Sequence, residues 1–199
     1  MQRLPSQMTP LRPTFLGDCQ PFVTPGTDLL PLAGNSIPER CVVLGIGNPL
    51  MTDDGIGIHF VRQIFAGLMP LPVAGKNFEV LDGGTLGYLL IDRLAGSDAL
   101  IVIDAANMSA DPGEVRTFQD EAMDAFLQGN RTSSVHEVGL IDLLQMMSLK
   151  GETPRRRALI CVQPAIVGWG TELSPALAPS IAKAGAALIN ILTTWYGGK

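Results

Sequence analysis

Three residues whose side chains can bind metal ions lie in three separate segments of the sequence. Asp54 lies in the stretch GIGNPLMTDDGIG of residues 45–57, Asp104 closes the apolar run ALIVID, and His136 lies in SSVHEVGL. One imidazole and two carboxylates form a mixed nitrogen and oxygen ligand set that suits a borderline divalent metal such as zinc, nickel or manganese. With only three protein ligands, such a site keeps positions open for water or for an external group.

Each of these residues also has a purely structural interpretation. Asp104 at a strand end either caps the next turn or projects into a cleft, and a single histidine such as His136 more often serves packing than metal binding. Asp53 and Asp54 are adjacent, and one acid is enough to stabilise a helix start through the helix dipole. We therefore predict that Asp53 caps the helix and that Asp54 points into the cleft. His59, the second histidine, is expected to be an ordinary residue of the first helix.

A nucleotide-binding turn is an alternative explanation for the two glycines Gly45 and Gly47. A dinucleotide fingerprint needs a third glycine three residues after the second, and that position is Leu50. A Walker-type loop needs a lysine, which this loop lacks, and Asp53 and Asp54 would repel a phosphate. The chain also contains neither a GxSxG elbow nor an HExxH motif, so the sequence does not favour these hydrolytic sites.

The elements that must position these residues alternate between apolar, β-branched runs and helical patterns. This alternation predicts an α/β fold, a three-layer α/β/α sandwich of the phosphorylase or hydrolase-like type. Its mostly parallel, twisted sheet should have about five strands, with helices on both faces. The predicted strands are CVVLGIG, NFEVLDGG, ALIVIDA, GEVRTFQ and RALICVQ, and the predicted helices cover residues 54–68, 85–96, about 120–128, 136–149 and 174–195.

Local patterns make these expectations specific. GEVRTFQ alternates between polar and apolar residues after DPG, which predicts an edge strand or half of a hairpin. Ser174 and Pro175 predict the start of the last helix, with serine as the N-cap and proline in the first turn. The first helix should bury one stripe of large side chains, namely Ile56, Phe60, Val61, Ile64, Phe65 and Leu68.

Sheets of this kind place their sites outside the carboxyl ends of the strands. Four segments follow strands and should open at that edge: GNPLMTDD, DGGT, DAANM and QPAIVGWG. In DGGT, the glycines Gly83 and Gly84 allow a ligand or another chain to approach the backbone closely.

Composition limits the function further. The chain has 199 residues, which predicts one domain, and a net charge of −5 argues against nucleic-acid binding. No apolar run approaches the roughly 20 residues of a spanning helix, and no secretory signal is evident, so we expect a cytoplasmic protein that does not enter a membrane. The three cysteines, Cys19, Cys41 and Cys161, have no metal-site spacing and are expected to be reduced thiols.

The first forty residues differ from the rest of the chain. Seven of them are proline and they show no apolar periodicity. We predict a flexible or surface-draped extension over residues 1–40, followed by a single domain over residues 41–199.

From about Cys41 to Trp195 the chain resembles the hydrogenase maturation endopeptidases, which process the large subunit of nickel-iron hydrogenases. The resemblance rests on five segments in the family's order: GIGNPLMTDDGIG, LDGGTLG, IVIDAANM with PGEV, SVHEVGL and VQPAIVGWG. The family's nickel-recognising positions correspond to Asp54, Asp104 and His136. Family members often have glutamate at the first of these positions, where this chain has Asp54.

The resemblance implies a hydrolase that removes a C-terminal extension from the large-subunit precursor after nickel insertion. The precursor would then be the partner and would present the nickel, for which other divalent metals can substitute. Asp54, Asp104 and His136 would recognise the metal and take part in catalysis, while Gly83, Gly84 and Thr85 would contact the extended substrate. We expect a monomer. The alternative is a non-cleaving, metal-dependent binding protein or chaperone for the same large subunit.

Overall fold

The computed structural model describes residues 40–69, 71, 78–85, 89–129 and 135–196, with only the backbone for residues 135–138. The predicted proline-rich extension lies outside the described residues except for Arg40, and so does Cys19.

Five strands form one sheet in the spatial order β2-β1-β3-β5-β4. Four of them are parallel, and β4 pairs antiparallel with β5 at the edge of the sheet. This arrangement confirms the predicted mostly parallel sheet and the edge position of GEVRTFQ. The strands are β1 (Cys41–Gly45), β2 (Phe78–Asp82), β3 (Ala99–Ala105), β4 (Val115–Gln119) and β5 (Arg156–Val162).

Helices cover both faces of the sheet, as predicted for a three-layer α/β/α sandwich. A short 3₁₀ helix, Thr52–Gly55, leads directly into the first α-helix. The α-helices among the described residues are α1 (Ile56–Phe65), α2 (Leu89–Leu94), α3 (Glu121–Gly129), α4 (Val135–Leu149) and α5 (Ala178–Tyr196).

Successive side chains along a strand point to opposite faces of the sheet and belong to two separate apolar cores. In β1, Val43 packs into a core with α1 and α5, whereas Val42 and Leu44 pack into a second core with α2, α3 and α4. The central strands are buried on both faces, which explains their continuous apolar runs. Cys41 and Cys161 are free thiols buried in these cores, and burial raises the pKa of Cys41 to about 11.

Two predicted helix boundaries were wrong. The helix predicted over residues 54–68 ends at Phe65, and both Phe65 and Leu68 are exposed, so neither extends the buried stripe. The last helix begins at Ala178 and not at Ser174, because Ser174 is buried and its hydroxyl and backbone N–H bind Asp53. A tertiary contact has replaced the predicted cap.

The helices in the described part of the chain include none that is both long and apolar enough to cross a membrane.

Candidate functional site

A crevice is expected where the strand order reverses. The chain moves from β1 outward to β2, then returns to β3 on the other side of β1, and α1 and α2 cover opposite faces of the sheet. In open α/β sheets, this switch point at the carboxyl ends is where ligands bind. The residues that follow β1 and end β3 are therefore the first to consider, and they include Asp54 and Asp104.

Asp54 lies in the 3₁₀ helix that follows β1, and it is half-buried. Its Oδ2 accepts a hydrogen bond from the backbone N–H of Asn48 at 3.0 Å, which folds the intervening loop back on itself. Gly47 makes this turn possible, because its φ is +136° and an added Cβ would lie 2.0 Å from the Asp54 carbonyl oxygen. The glycine therefore allows the loop to pass directly against the residue that carries the carboxylate.

A second glycine brings this helix start against the end of β3. A Cβ on Gly57 would lie 2.3 Å from the carbonyl oxygens of both Ile46 and Ile103. Ile46 also donates a backbone hydrogen bond to Ile103 at 3.0 Å. Since Asp104 follows Ile103 directly, the structure brings the segments of Asp54 and Asp104 together at the switch point.

Asp104 is a nearly inaccessible carboxylate in the second-last position of β3, with 1% of its surface exposed. It pairs in register with Cys161 of β5. Its neighbours two and four positions earlier, Val102 and Leu100, belong to the core formed with α2, α3 and α4. By strand alternation, Asp104 lies on that same face.

The backbone of His136 lies in the first turn of α4, which packs on the same face of the sheet. The last turns of α4, at Gln145 and Ser148, line a small cleft together with Arg157 at the start of β5. The 15-residue helix therefore begins toward the carboxyl ends of the strands, as Asp104 does. The side chain of His136 lies outside the described residues.

Among the side chains that the structure describes, no three of His, Cys, Asp or Glu are grouped as a metal site. The predicted set includes His136, so the three-ligand metal site stays a prediction. His59 lies half-buried in α1, and its Nε2 has no hydrogen-bond partner among the described residues.

Asp53 does not cap a helix, contrary to the sequence-based expectation. It is fully buried, and neither the 3₁₀ helix nor α1 has a side-chain cap. Its Oδ2 accepts the backbone N–H groups of Ala165 and Ile166 at 2.9 and 2.8 Å, and Ser174 binds both of its oxygens. Asp53 thus fixes the loop after β5 to the loop after β1.

This role could not be seen in the sequence. The partners of Asp53 lie 112 to 121 residues away, and two of the four donors are backbone groups of apolar residues. The only local signal was the pair of adjacent acids, which indicated that the two carboxylates have separate roles.

The DGGT segment contacts the loop after β1 through its backbone. Gly83 donates to the Gly45 carbonyl and Gly47 donates to the Gly84 carbonyl, each at 2.8 Å. The Gly84 N–H binds the Asp82 carboxylate at 3.0 Å. These groups hold the two loops together at the carboxyl ends of β1 and β2, while the substrate contacts of Gly83, Gly84 and Thr85 stay a prediction.

Comparison with known proteins gives consistent matches. A protein-family model described as HycI, hydrogenase maturation protease, matches residues 68–192. The hydrogenase expression/formation protein HupD of Rhodobacter capsulatus is 38% identical over 159 residues, which is 79% of this chain and 73% of HupD. The hydrogenase 2 maturation protease of Escherichia coli is 35% identical over 126 residues, 63% of this chain and 73% of that protein.

Solved structures agree with the sequence matches. The hydrogenase maturating endopeptidase HybD from Escherichia coli superposes with a TM-score of 0.69 and 32% identity, covering 78% of this chain and 93% of HybD. The hydrogenase maturation protease HybD from Thermococcus kodakarensis superposes with a TM-score of 0.64 and 28% identity, covering 76% of this chain and 98% of that protein. The predicted α/β sandwich is therefore confirmed.

Proposed function

This chain belongs to the hydrogenase maturation protease family, and we propose that it removes the C-terminal extension of a nickel-iron hydrogenase large-subunit precursor after nickel has been inserted. The family consists of maturation proteases, so this chain is a protease. Under this proposal, cleavage requires nickel, and Asp54, Asp104 and His136 recognise the metal. The metal arrives with the substrate and is not a resident cofactor of this chain.

The observation that supports the proposal is the approach of two segments at the β1/β3 switch point, the 3₁₀ helix with Asp54 and the end of β3 with Asp104. Gly47 and Gly57 make this close backbone packing possible. The first turn of α4 lies on the same face as Asp104, which makes His136 the natural third ligand. Oxygen and nitrogen donors of this kind suit nickel and other divalent metals.

Burial of Asp104 would strengthen its attraction for a metal cation. A carboxylate with 1% exposure is shielded from bulk water, and the attraction between opposite charges is stronger where water is excluded. Recognition of the metal then becomes a check that insertion is complete.

Two chemical roles are compatible with these residues. In one, Asp54, Asp104 and His136 would hold a metal that supplies Lewis-acid polarisation of the scissile carbonyl or of the attacking water. In the other, a carboxylate activates the water and the metal serves only for docking.

Cleavage of nickel-loaded precursor, followed by the mass of the large subunit, tests the proposal. We expect cleavage by the wild-type chain and none by Asp104→Ala or His136→Ala, each with an unchanged circular dichroism spectrum. The alternative, a non-cleaving binding protein, predicts an unchanged mass with the wild-type chain. Retained cleavage in both variants would overturn the assigned site.

A further inference from the structure

Four large apolar side chains are exposed in the loops that follow β1 and β5, at the carboxyl ends of these strands. Leu50, Ile166, Val167 and Trp169 have 53, 56, 57 and 86% of their surfaces exposed. They are four of the ten large hydrophobic residues that are exposed in the described part of the chain, so exposure is concentrated here. We call these four residues the apolar rim. Concentrated exposure of this kind marks an interaction site more often than scattered exposure does.

The two segments of the rim are paired side by side. Gly170 donates its N–H to the Leu50 carbonyl at 3.0 Å, and Thr52 donates its N–H to the Gly170 carbonyl at 2.8 Å. The Thr52 hydroxyl donates to the Ile166 carbonyl at 2.7 Å. Leu50 and residues 166–170 therefore form one continuous surface.

The rim is held from beneath by a buried charge. Asp53 binds the N–H groups of Ala165 and Ile166 and both donor groups of Ser174, so the backbone on each side of Trp169 is fixed. A surface fixed in this way loses little conformational entropy when a partner binds. The exposed side chains are thus presented by an ordered backbone.

The composition of the rim indicates the chemistry of its partner. Residues 163–171, QPAIVGWGT, contain no charged side chain. A nucleic acid or an acidic peptide needs positive charge, which this stretch does not offer. An apolar protein surface fits, and tryptophan is the residue type most enriched among those that dominate protein–protein binding energy.

The position of the rim identifies the partner. Thr52, which pairs with Gly170, precedes Asp54 by two residues, so a protein that brings a metal to Asp54 also meets the rim. We propose that the apolar rim docks an apolar surface of the hydrogenase large-subunit precursor beside its nickel site. This inference rests on the proposed function and adds a second contact, one that holds the precursor without touching the metal.

Steady-state cleavage of nickel-loaded precursor tests the docking role. The variants are Trp169→Ala and the double variant Ile166→Ser with Val167→Ser. The matched control is Leu149→Ser, because Leu149 is as exposed as Trp169 but ends α4, away from the crevice. We expect the rim variants to raise KM at least about tenfold with kcat within about twofold of wild type, and the control to leave both unchanged.

The Kd for immobilised precursor is measured in parallel, with each variant placed in an Asp104→Asn background that prevents turnover. We expect the same loss of at least about tenfold in affinity. Unchanged KM and Kd in both rim variants would overturn the docking role. Self-association of the wild-type chain that Trp169→Ala abolishes would assign the rim to a second copy and also overturn it. If the wild-type chain does not cleave but the rim variants still weaken Kd, the protease function fails and the docking role stands.

Discussion

Asp53 accepts two hydrogen bonds from Ser174, one from the backbone N–H at 2.7 Å and one from the hydroxyl at 2.8 Å, although the residues are 121 positions apart. The adjacent Asp54 instead accepts a bond from Asn48 within its own loop. Two neighbouring carboxylates therefore have separate hydrogen-bond partners, because one joins two loops and the other binds within its own loop. Their substitutions should separate stability from activity.

Replacing Asp53 should destabilise the fold. Asp53→Ala removes an acceptor for four donors in a buried site, and we expect the free energy of unfolding to fall by about 3 kcal/mol. Chemical denaturation measures this loss. The control is Asp92→Ala, an exposed acid of α2, which should change stability by less than about 0.5 kcal/mol. Equal stabilities of the two variants would show that Asp53 does not hold the loop after β1 to the loop after β5.

Replacing Asp54 should affect cleavage far more than stability. Asp54→Asn keeps an oxygen that can accept from Asn48 but removes the charge, so we expect the cleavage rate to fall at least about 100-fold with a melting temperature close to that of wild type. Asp54→Glu keeps the negative charge and introduces the residue that family members often have, so this variant should still cleave the precursor. An Asp54→Asn variant that cleaves at the wild-type rate would exclude Asp54 from the site.

The strands could be predicted from the sequence because the patterns that produce them are local. Continuous apolar runs predicted β1, β3 and β5, and the chain order of strands and helices predicted a parallel sheet whose carboxyl ends meet Asp54 and Asp104. The role of Asp53 in joining two loops and the start of α5 at Ala178 were missed because both depend on contacts between Asp53 and residues 112 to 121 positions away. Such a contact between distant segments leaves no periodic pattern in either one.

The close approach of α1 to β3 makes Gly57 intolerant of a side chain. Gly57→Ala places a Cβ 2.3 Å from two backbone carbonyl oxygens, Ile46 and Ile103, neither of which can move without shifting a strand end. We expect a loss of about 2–4 kcal/mol in the free energy of unfolding, together with lower cleavage activity. Gly129→Ala, in α3, meets nothing within 4 Å and should leave stability unchanged or slightly raised. Thermal unfolding of the pair checks this, and equal melting temperatures would contradict it.

Low pH should weaken one ion-pair network, which lies around Glu79 near the start of the edge strand β2. Partial burial alone would raise the pKa of Glu79, but hydrogen bonds and charge attraction from Arg40 and Arg93 outweigh it and lower that pKa. The two guanidinium groups approach the carboxylate at 2.8 and 2.6 Å. A lowered folded-state pKa stabilises the protein above the ordinary carboxyl pKa, and this contribution is lost as the pH falls through the lowered value.

Glu79→Gln should therefore be less stable than wild type at pH 7, by about 1 kcal/mol, with a difference that shrinks roughly between pH 5 and pH 3. Denaturation curves at several pH values measure the difference. Glu114→Gln, which removes an exposed pair with Arg116, is the control and should show no such trend. A Glu79→Gln difference that grows as the pH falls would contradict the assignment.

The central claim is that nickel carried by the precursor is recognised by Asp54, Asp104 and His136. The most direct measurement is the rate of cleavage of one large-subunit precursor prepared with and without nickel, followed by mass. We predict rapid cleavage of the nickel-loaded form by the wild-type chain, no cleavage of the nickel-free form, and no cleavage of either form by Asp104→Ala. Equal cleavage rates for the loaded and nickel-free precursors would contradict the account.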